Sequence, residues 1–324
     1  RLATPENGEN IVNDLIRGEI KFQNNELDDL ILMRSDGTPT YHLCNVVDDY
    51  EQKVTTVIRG EDHISNTPRQ IHIQQALGYA PLEYAHLPLV LGEDKKRLSK
   101  RHAATSLDEY QAEGYLDVAI INTLARLGWS GGKNEVFNLE ELIRDFDFKE
   151  VQKAGAIFDL TKLDWINSQH LSQLDQTSFK KILLPHINNL NIDYSDYNQL
   201  DELIESMRSV KPNLKLIAQS LVPYIGSFKE YDEKGVKKFL TGSERTLNLV
   251  LEMLDNLEVW NEAEIDKHLA KLQEKLELPT PKMNQPIRIA LTGSTQSPSL
   301  GLTIKLMGKN KSIYLLKKAI DFLS

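Results

Sequence analysis

The chain has 324 residues, 40% of them hydrophobic, with 47 acidic against 38 basic side chains and a net charge of −9. That length suits two or three packed domains, and the single cysteine, Cys44, excludes an internal disulfide framework and a cysteine-rich zinc site. No apolar run approaches the roughly 18 residues of a membrane span and no secretory signal is visible, so a reducing compartment is expected. The first residue is Arg1 rather than Met and the sequence opens inside a patterned segment, which leads us to expect that the natural N-terminal part is missing.

Leu30 to Arg34 is apolar and closes on the turn signal Ser35-Asp36-Gly37. The stretch from Arg34 to Asp49 is too polar for plain core. Within it Tyr41 and Asn45 are four apart, so on a helix start they face the same way. Val54 to Ile58 is short and β-branched and predicts a buried strand, which runs into Arg59-Gly60-Glu61-Asp62-His63. A helix is predicted from Ser65, a plausible cap, to Leu77, with Gly78 as its stop. Strand, polar loop and helix in that order suggest half of an open α/β sheet. Ligands bind such sheets at the carboxyl ends of the strands, where Arg59, Glu61 and Asp62 fall. Tyr41, Asn45 and Arg59 together offer a phenol, an amide and a guanidinium fork suited to a carboxylate. Their ordinary reading is a core tyrosine, a capping asparagine and a surface arginine.

Residues 94–102 then bring Lys95, Lys96, Arg97, Lys100 and Arg101 into one loop of an otherwise acidic chain. Basic side chains placed this way can neutralise a polyphosphate whose charge grows in a transition state. A capped helix start is predicted at Ser106-Leu107-Asp108-Glu109, and Asp117 to Leu127 repeats apolar residues at helical spacing before Gly128. Short helices follow over 139–171, then longer ones over 177–190, 198–208, 213–225, 232–240, 243–258 and 262–276. Pro279-Thr280-Pro281 predicts a linker, and 285–324 two helical stretches around Gly308. Residues 275–324 carry eight Lys/Arg against Glu277 and Asp321, a net +6 that leaves −15 for the rest, as a surface for a polyanion would.

Several motifs in order resemble one family. They are Asp36-Gly37-Thr38-Pro39-Thr40-Tyr41, Val46-Val47-Asp48-Asp49, Val57-Ile58-Arg59-Gly60-Glu61-Asp62-His63, Ser65-Asn66-Thr67-Pro68, His86-Leu87-Pro88-Leu89 and Arg97-Leu98-Ser99-Lys100-Arg101. Leu127-Gly128-Trp129, Phe158-Asp159, Lys162 to Trp165 and Arg288 to Gly293 continue the series. Together they look like bacterial-type glutamyl-tRNA synthetases, which are class I aminoacyl-tRNA synthetases, and the similarity spans essentially the whole chain.

The resemblance implies an α/β catalytic remainder, the second half of a Rossmann-like nucleotide-binding domain, followed by a mostly α-helical stem-contact and anticodon-binding region. The expected boundaries are 1–104, 105–174 and 175–324, with a possible subdivision near 279. Tyr41 and Arg59 match glutamate-binding positions, with Asn45 on the same wall. Lys100 matches the loop lysine that stabilises departing pyrophosphate. Arg97, Leu98, Ser99, Lys100, Arg101, Glu61 and Asp62 match the ATP-binding loops, Arg97 standing where lysine is commoner and Ala103 where glycine is. Arg288, Lys305, Lys309 and Lys311 are candidate tRNA contacts.

The implied activity is ATP-dependent activation of L-glutamate and its transfer to the 3′ end of tRNA(Glu), with Mg²⁺ accompanying ATP and no dedicated protein metal site. A monomeric, cytoplasmic protein without membrane contact is expected. One departure matters: no histidine begins a His-Ile-Gly-His-type motif. A non-catalytic tRNA-binding fragment is therefore the alternative. The helical pattern after the basic loop argues against glutaminyl-tRNA synthetases, whose anticodon region is built of β-barrels. It argues also against the shorter tRNA-modifying relative. No P-loop motif supports a kinase or ATPase.

Overall fold

The structure is a computed structural model that describes residues 1–98, 106–131 and 133–324. It separates into two compact units, one formed by 1–107 with 118–166, the other by 108–117 with 167–324. The middle segment expected over 105–174 is thus divided between them.

In the first unit β1 (Glu9–Asp14) pairs antiparallel with β2 (Gly18–Gln23). Alternation along β1 buries Asn10, Val12 and Asp14 and exposes Ile11, so two of the three inward residues are polar. Met33 bridges Pro39 across the Ser35-Asp36-Gly37 turn, where Asp36 accepts from the Thr38 backbone and hydroxyl, and Gly37 takes the positive φ of +81°. Thr40 then opens α1 (Tyr41–Glu51). The strand expected over 54–58 is β3 (Thr56–Gly60), two residues later. The helix expected from Ser65 is α2 (Thr67–Leu77), because a 3-10 turn over Glu61–Asn66 takes up the intervening residues. Gly78, left-handed at φ 70°, ends α2 as expected. β4 (Glu83–Leu87) lies parallel to β3 over five residue pairs and meets β1 at Asp14–Tyr84, giving the sheet order β2-β1-β4-β3.

A second small sheet joins β5 (Val90–Leu91) to β6 (Ala156–Ile157) in parallel. Between these strands in sequence lie α3 (Leu107–Ala112), α4 (Asp117–Arg126) and α5 (Leu139–Asp145), the last closed by a capping box between Asn138 and Glu141. Trp129, Phe137, Leu142 and Val151 pack with Ile16 and Ala85 into the core of this unit. Glu135 accepts from Arg126 at 3.1 Å and pairs with Lys162 at 2.8 Å.

α6 (Leu160–Gln173) carries the chain into the second unit, which contains α7 (Gln176–Asn188), α8 (Leu200–Met207) and α9 (Leu214–Ile225). The short α10 (Glu233–Gly235) runs into a π turn over Val236–Leu240. α11 (Glu244–Asp255), α12 (Glu262–Leu276), α13 (Thr280–Thr292), α14 (Leu300–Met307) and α15 (Lys309–Leu323) follow. Side-chain caps from Asp175, Asn213, Asn261 and Ser299 set the starts of α7, α9, α12 and α14. The expected linker at Pro279-Thr280-Pro281 is instead a helix start: Pro281, in the first turn, lacks only an N–H that has no partner within the helix. The tail accordingly holds three helices, not two, with Gly308 between the last pair.

Phe179, Leu183 and Ile187 at i, i+4 and i+8 on α7 enter one continuous core with Leu221, Leu247, Ile287, Ile304 and Leu316. The 108–117 excursion is pinned to this unit. Leu214 N–H donates to Gly114 O at 3.0 Å, Leu116 N–H donates to the Asn167 side chain at 2.9 Å, and Lys215 pairs with Glu113 at 2.6 Å. A Cβ on Gly114 would stand 2.6 Å from the Lys215 backbone nitrogen, and φ there is +84°, so only glycine fits.

Candidate active site

The site is built where β3 and β4 end. Arg59, near the end of β3, is half-buried, and its Nη2 donates to Thr67 Oγ1 at 2.7 Å at the start of α2. Its Nε donates to His86 Nε2 at 3.2 Å, and its guanidinium lies 5.8 Å from the Tyr84 ring. Burial lowers its pKa, and the phenols of Tyr41 and Tyr84 and the Asp49 carboxylate act against that. Arginine nonetheless stays charged.

Tyr41 and Asn45 sit one turn apart on α1, as their spacing predicts. Tyr41 is 52% exposed, leaving its ring available to a ligand, and it lies 6.4 Å from the His63 ring. Asn45 faces α2, where its Oδ1 accepts from the buried Gln70 at 2.9 Å. Asn45 therefore braces the wall that holds Tyr41.

The acidic pair after β3 is bonded within the protein. Glu61 accepts from Arg17 and, at 3.0 Å, from the Leu89 backbone. Arg17 donates further to Lys153 O at 3.1 Å. Glu61 thus clamps the β1–β2 turn to the segment between β4 and β5, and both its oxygens are engaged within the protein. Asp62 pairs with Arg97 at 3.0 Å. It reaches there because Gly60 is bare: a Cβ at Gly60 would meet Asp62 Oδ1 at 2.5 Å. Leu98 N–H donates to Val90 O at 2.8 Å and Leu91 bridges Arg97, so the loop departs from a small hairpin. Ser99, Lys100 and Arg101 lie outside the described residues.

Behind Arg59 is a group that sequence reasoning left out. Asp14 and His86 are fully buried, with His86 Nδ1 2.6 Å from Asp14 Oδ2. Burial pulls Asp14 upward, but hydrogen bonds from Arg17, His86 and Ile16 outweigh it and hold its pKa low. Burial holds His86 low in turn, against the attraction of Asp14. The pair is therefore a carboxylate and a neutral imidazole. The signal available in sequence was the period-2 pattern of β1, which puts a carboxylate on the inward face.

The four cations expected to meet RNA are bonded inside the helical unit. Arg288 donates to Ser297 and, at 2.7 Å, to Pro298 O, and burial lowers its pKa. Lys311 donates to Tyr224 O and Gly226 O at 2.8 and 2.7 Å, closing the C-terminus of α9. Lys309 donates to Asp255 O and Leu257 O beyond α11, and Lys305 pairs with Glu202 at 2.6 Å. Arg288 thus ties the loop before α14, Lys309 and Lys311 the C-terminal ends of α11 and α9, and Lys305 a carboxylate on α8. Among the described residues no cluster of three or more His, Cys, Asp or Glu could hold a metal ion, and no helix is long and apolar enough to cross a membrane.

A parallel β3–β4 pair with Arg59 at its carboxyl end, followed in the chain by a helical unit, fits part of an open α/β domain that binds its ligand at the strand ends. Residues 1–165 match the catalytic domain of class I tRNA synthetases (E and Q), and residues 178–320 match an anticodon binding domain. The glutamate–tRNA ligase of Thermodesulfovibrio yellowstonii is 40% identical over 328 residues, covering 99% of this chain and 70% of that protein. Glutamate–tRNA ligase 1 of Alkalilimnicola ehrlichii is 39% identical over 324 residues, covering 100% of this chain and 69% of the relative. Among solved structures, a glutamate tRNA ligase from Elizabethkingia meningosepticum in complex with its amino acid superposes with a TM-score of 0.76 at 30% identity, covering 99% of this chain and 68% of the other. The chain belongs to the glutamate–tRNA ligase family.

Proposed function

We propose that the chain serves ATP-dependent ligation of L-glutamate to tRNA(Glu), with Arg59 and Tyr41 receiving the amino acid. The observation that carries this reading is 40% identity to a glutamate–tRNA ligase across 99% of the chain. Arg59 is held inside by Thr67 and His86 and beside an exposed phenol, an arrangement fitted to a carboxylate.

In the first step a glutamate carboxylate oxygen attacks the α-phosphorus of ATP. The bond to the β,γ-phosphates breaks, and pyrophosphate leaves. In the second step a terminal ribose hydroxyl of the tRNA attacks the acyl carbonyl, its proton is lost and AMP departs. Catalysis rests on positioning and on neutralising charge. Lys100, Arg101 and Arg97 supply positive charge as pyrophosphate forms, and the Asp62–Arg97 pair anchors the loop. Mg²⁺ would accompany ATP, held largely by its phosphates and water.

The segment 105–174 braces the inside of the L-shaped tRNA and the C-terminal helices meet the anticodon. Arg288, Lys305, Lys309 and Lys311 brace that unit from within. The protein acts as a cytoplasmic monomer without membrane contact. A second reading, tRNA binding without turnover, is favoured by one observation: the 324 residues contain no His-Ile-Gly-His-type motif.

The test is glutamate-dependent exchange of pyrophosphate into ATP, with and without tRNA(Glu), for the chain and for Lys100→Ala. Exchange that Lys100→Ala lowers about tenfold or more, with tRNA retention little changed, supports ligation. Exchange unaffected by Lys100→Ala removes Lys100 from the mechanism. Salt-sensitive tRNA retention with no exchange supports the second reading.

A further inference from the structure

We propose that Asp14 and His86 are positioning residues for amino-acid recognition: through a single imidazole tautomer they fix the guanidinium of Arg59 in the orientation that receives the substrate carboxylate. The proposal rests on the reading of Arg59 as a glutamate ligand.

The argument is one of donors and acceptors. Arg59 Nε carries a hydrogen and cannot accept, so His86 Nε2, 3.2 Å away, must be the acceptor. A neutral imidazole that accepts at Nε2 carries its proton at Nδ1. That proton has an acceptor waiting, since Nδ1 lies 2.6 Å from Asp14 Oδ2. Asp14 is fixed in its turn. Oδ2 also accepts from the His86 backbone at 3.0 Å, and Oδ1 accepts from the backbone of Ile16 and Arg17 at 3.0 and 2.9 Å. Each hydrogen bond therefore dictates the next, from the β1–β2 turn to the substrate-facing arginine.

Thr67 completes the clamp. Its hydroxyl accepts from Arg59 Nη2 at 2.7 Å and lies 3.1 Å from the same His86 nitrogen. Two donors of the fork are thereby committed to the interior. The guanidinium interacts electrostatically with Tyr41, whose ring is half exposed, and that is the side we assign to the ligand. An arginine so held loses little rotamer freedom on binding, which raises affinity without any contact from Asp14 or His86 to the ligand.

Three variants separate positioning from packing. His86→Phe keeps a ring but removes the acceptor, His86→Gln restores an acceptor oxygen near the Nε2 position, and Arg59→Gln tests the site itself. Affinities for L-glutamate and for ATP are measured on the chain by calorimetry. His86→Phe is expected to weaken glutamate binding about tenfold or more, with ATP affinity held within about twofold, and His86→Gln to recover most of the loss. Equal losses for both ligands, or no recovery by glutamine, would show a purely structural role and overturn the proposal. Arg59→Gln with unchanged glutamate affinity, or a wild-type chain that takes no glutamate, would overturn the reading of the site instead. Nitrogen-15 spectra of the imidazole give a second readout that needs no variant and no ligand. His86 is expected as the Nδ1–H tautomer at neutral pH, and an Nε2–H tautomer or an imidazolium would break the relay.

Discussion

Asp14→Asn replaces one oxygen with an amide nitrogen at an unchanged volume, and its cost follows from the four bonds that Asp14 accepts. Ile16 and Arg17 donate to Oδ1, and the His86 backbone and ring donate to Oδ2. Asparagine keeps an oxygen for one pair only. If it serves Ile16 and Arg17, the amide N–H groups face two donors of His86, and the ring must move its proton to Nε2. There it meets Arg59 Nε–H. One charge-assisted bond is lost, at about 1.5–3 kcal/mol, and one buried donor is left unpaired at a further 1–3 kcal/mol, so about 2.5–6 kcal/mol is expected. Against a total stability of roughly 5–15 kcal/mol this is severe but survivable. The assay is urea unfolding of wild type, Asp14→Asn, His86→Gln and the double variant. Because the two side chains share one proton, we expect a coupling energy of at least about 1.5 kcal/mol. Costs that add within about 0.5 kcal/mol would refute the shared-proton argument.

Acid should destabilise the chain from a higher pH than carboxylates alone would produce. Burial depresses His42, His72, His86, His170 and His186. Their folded pKa values therefore lie below the unfolded value of about 6.5, and their contribution is complete above that pH. It is lost as pH falls from there through the folded values, each imidazole adding a slope of up to about 1.4 kcal/mol per pH unit. Asp49 and Asp266, raised by burial, act in the opposite sense only near the carboxylate range. Urea midpoints at pH 7.5, 6.5 and 5.5 check this, and a flat profile contradicts it. Lys311→Met should cost the helical unit about 1–2 kcal/mol by freeing Tyr224 O and Gly226 O, while leaving the salt dependence of tRNA retention unchanged. A salt slope reduced by about one would return Lys311 to the phosphate contacts.

The helices were legible where periodicity and caps agreed. The segments expected over 262–276 and 213–225 emerge as Glu262–Leu276 and Leu214–Ile225, each opened by an asparagine whose side chain bonds the third helical residue. The start of α2 was misplaced because Ser65 looks like a cap. A 3-10 turn from Glu61 carries the chain past it to Pro68 in the first helical turn. Tyr41 and Asn45 keep the helical spacing read from the sequence, and Arg59 falls near the end of its strand as read. Asp14 could not be read so, because its meaning depends on His86, 72 residues away, and no local pattern joins them. The basic tail shows what composition leaves out: it counts charges, and only the fold shows Lys309 and Lys311 bonded to backbone carbonyls.

The pinning of residues 108–117 to the helical unit has a consequence for synthesis. Gly114 needs the backbone of Leu214 and Lys215, which leave the ribosome about a hundred residues later. At about 5–20 residues per second, that is roughly 5–20 s during which Tyr110 and Leu116 wait without their final neighbours. The chain also passes between its two units at 107, 117 and 166. A ribosome paused between 118 and 166 therefore holds a nascent chain whose first unit is unfinished and whose second exists only as the ten-residue piece 108–117. Rare codons in that window would prolong the exposure and make it a place for a chaperone to act.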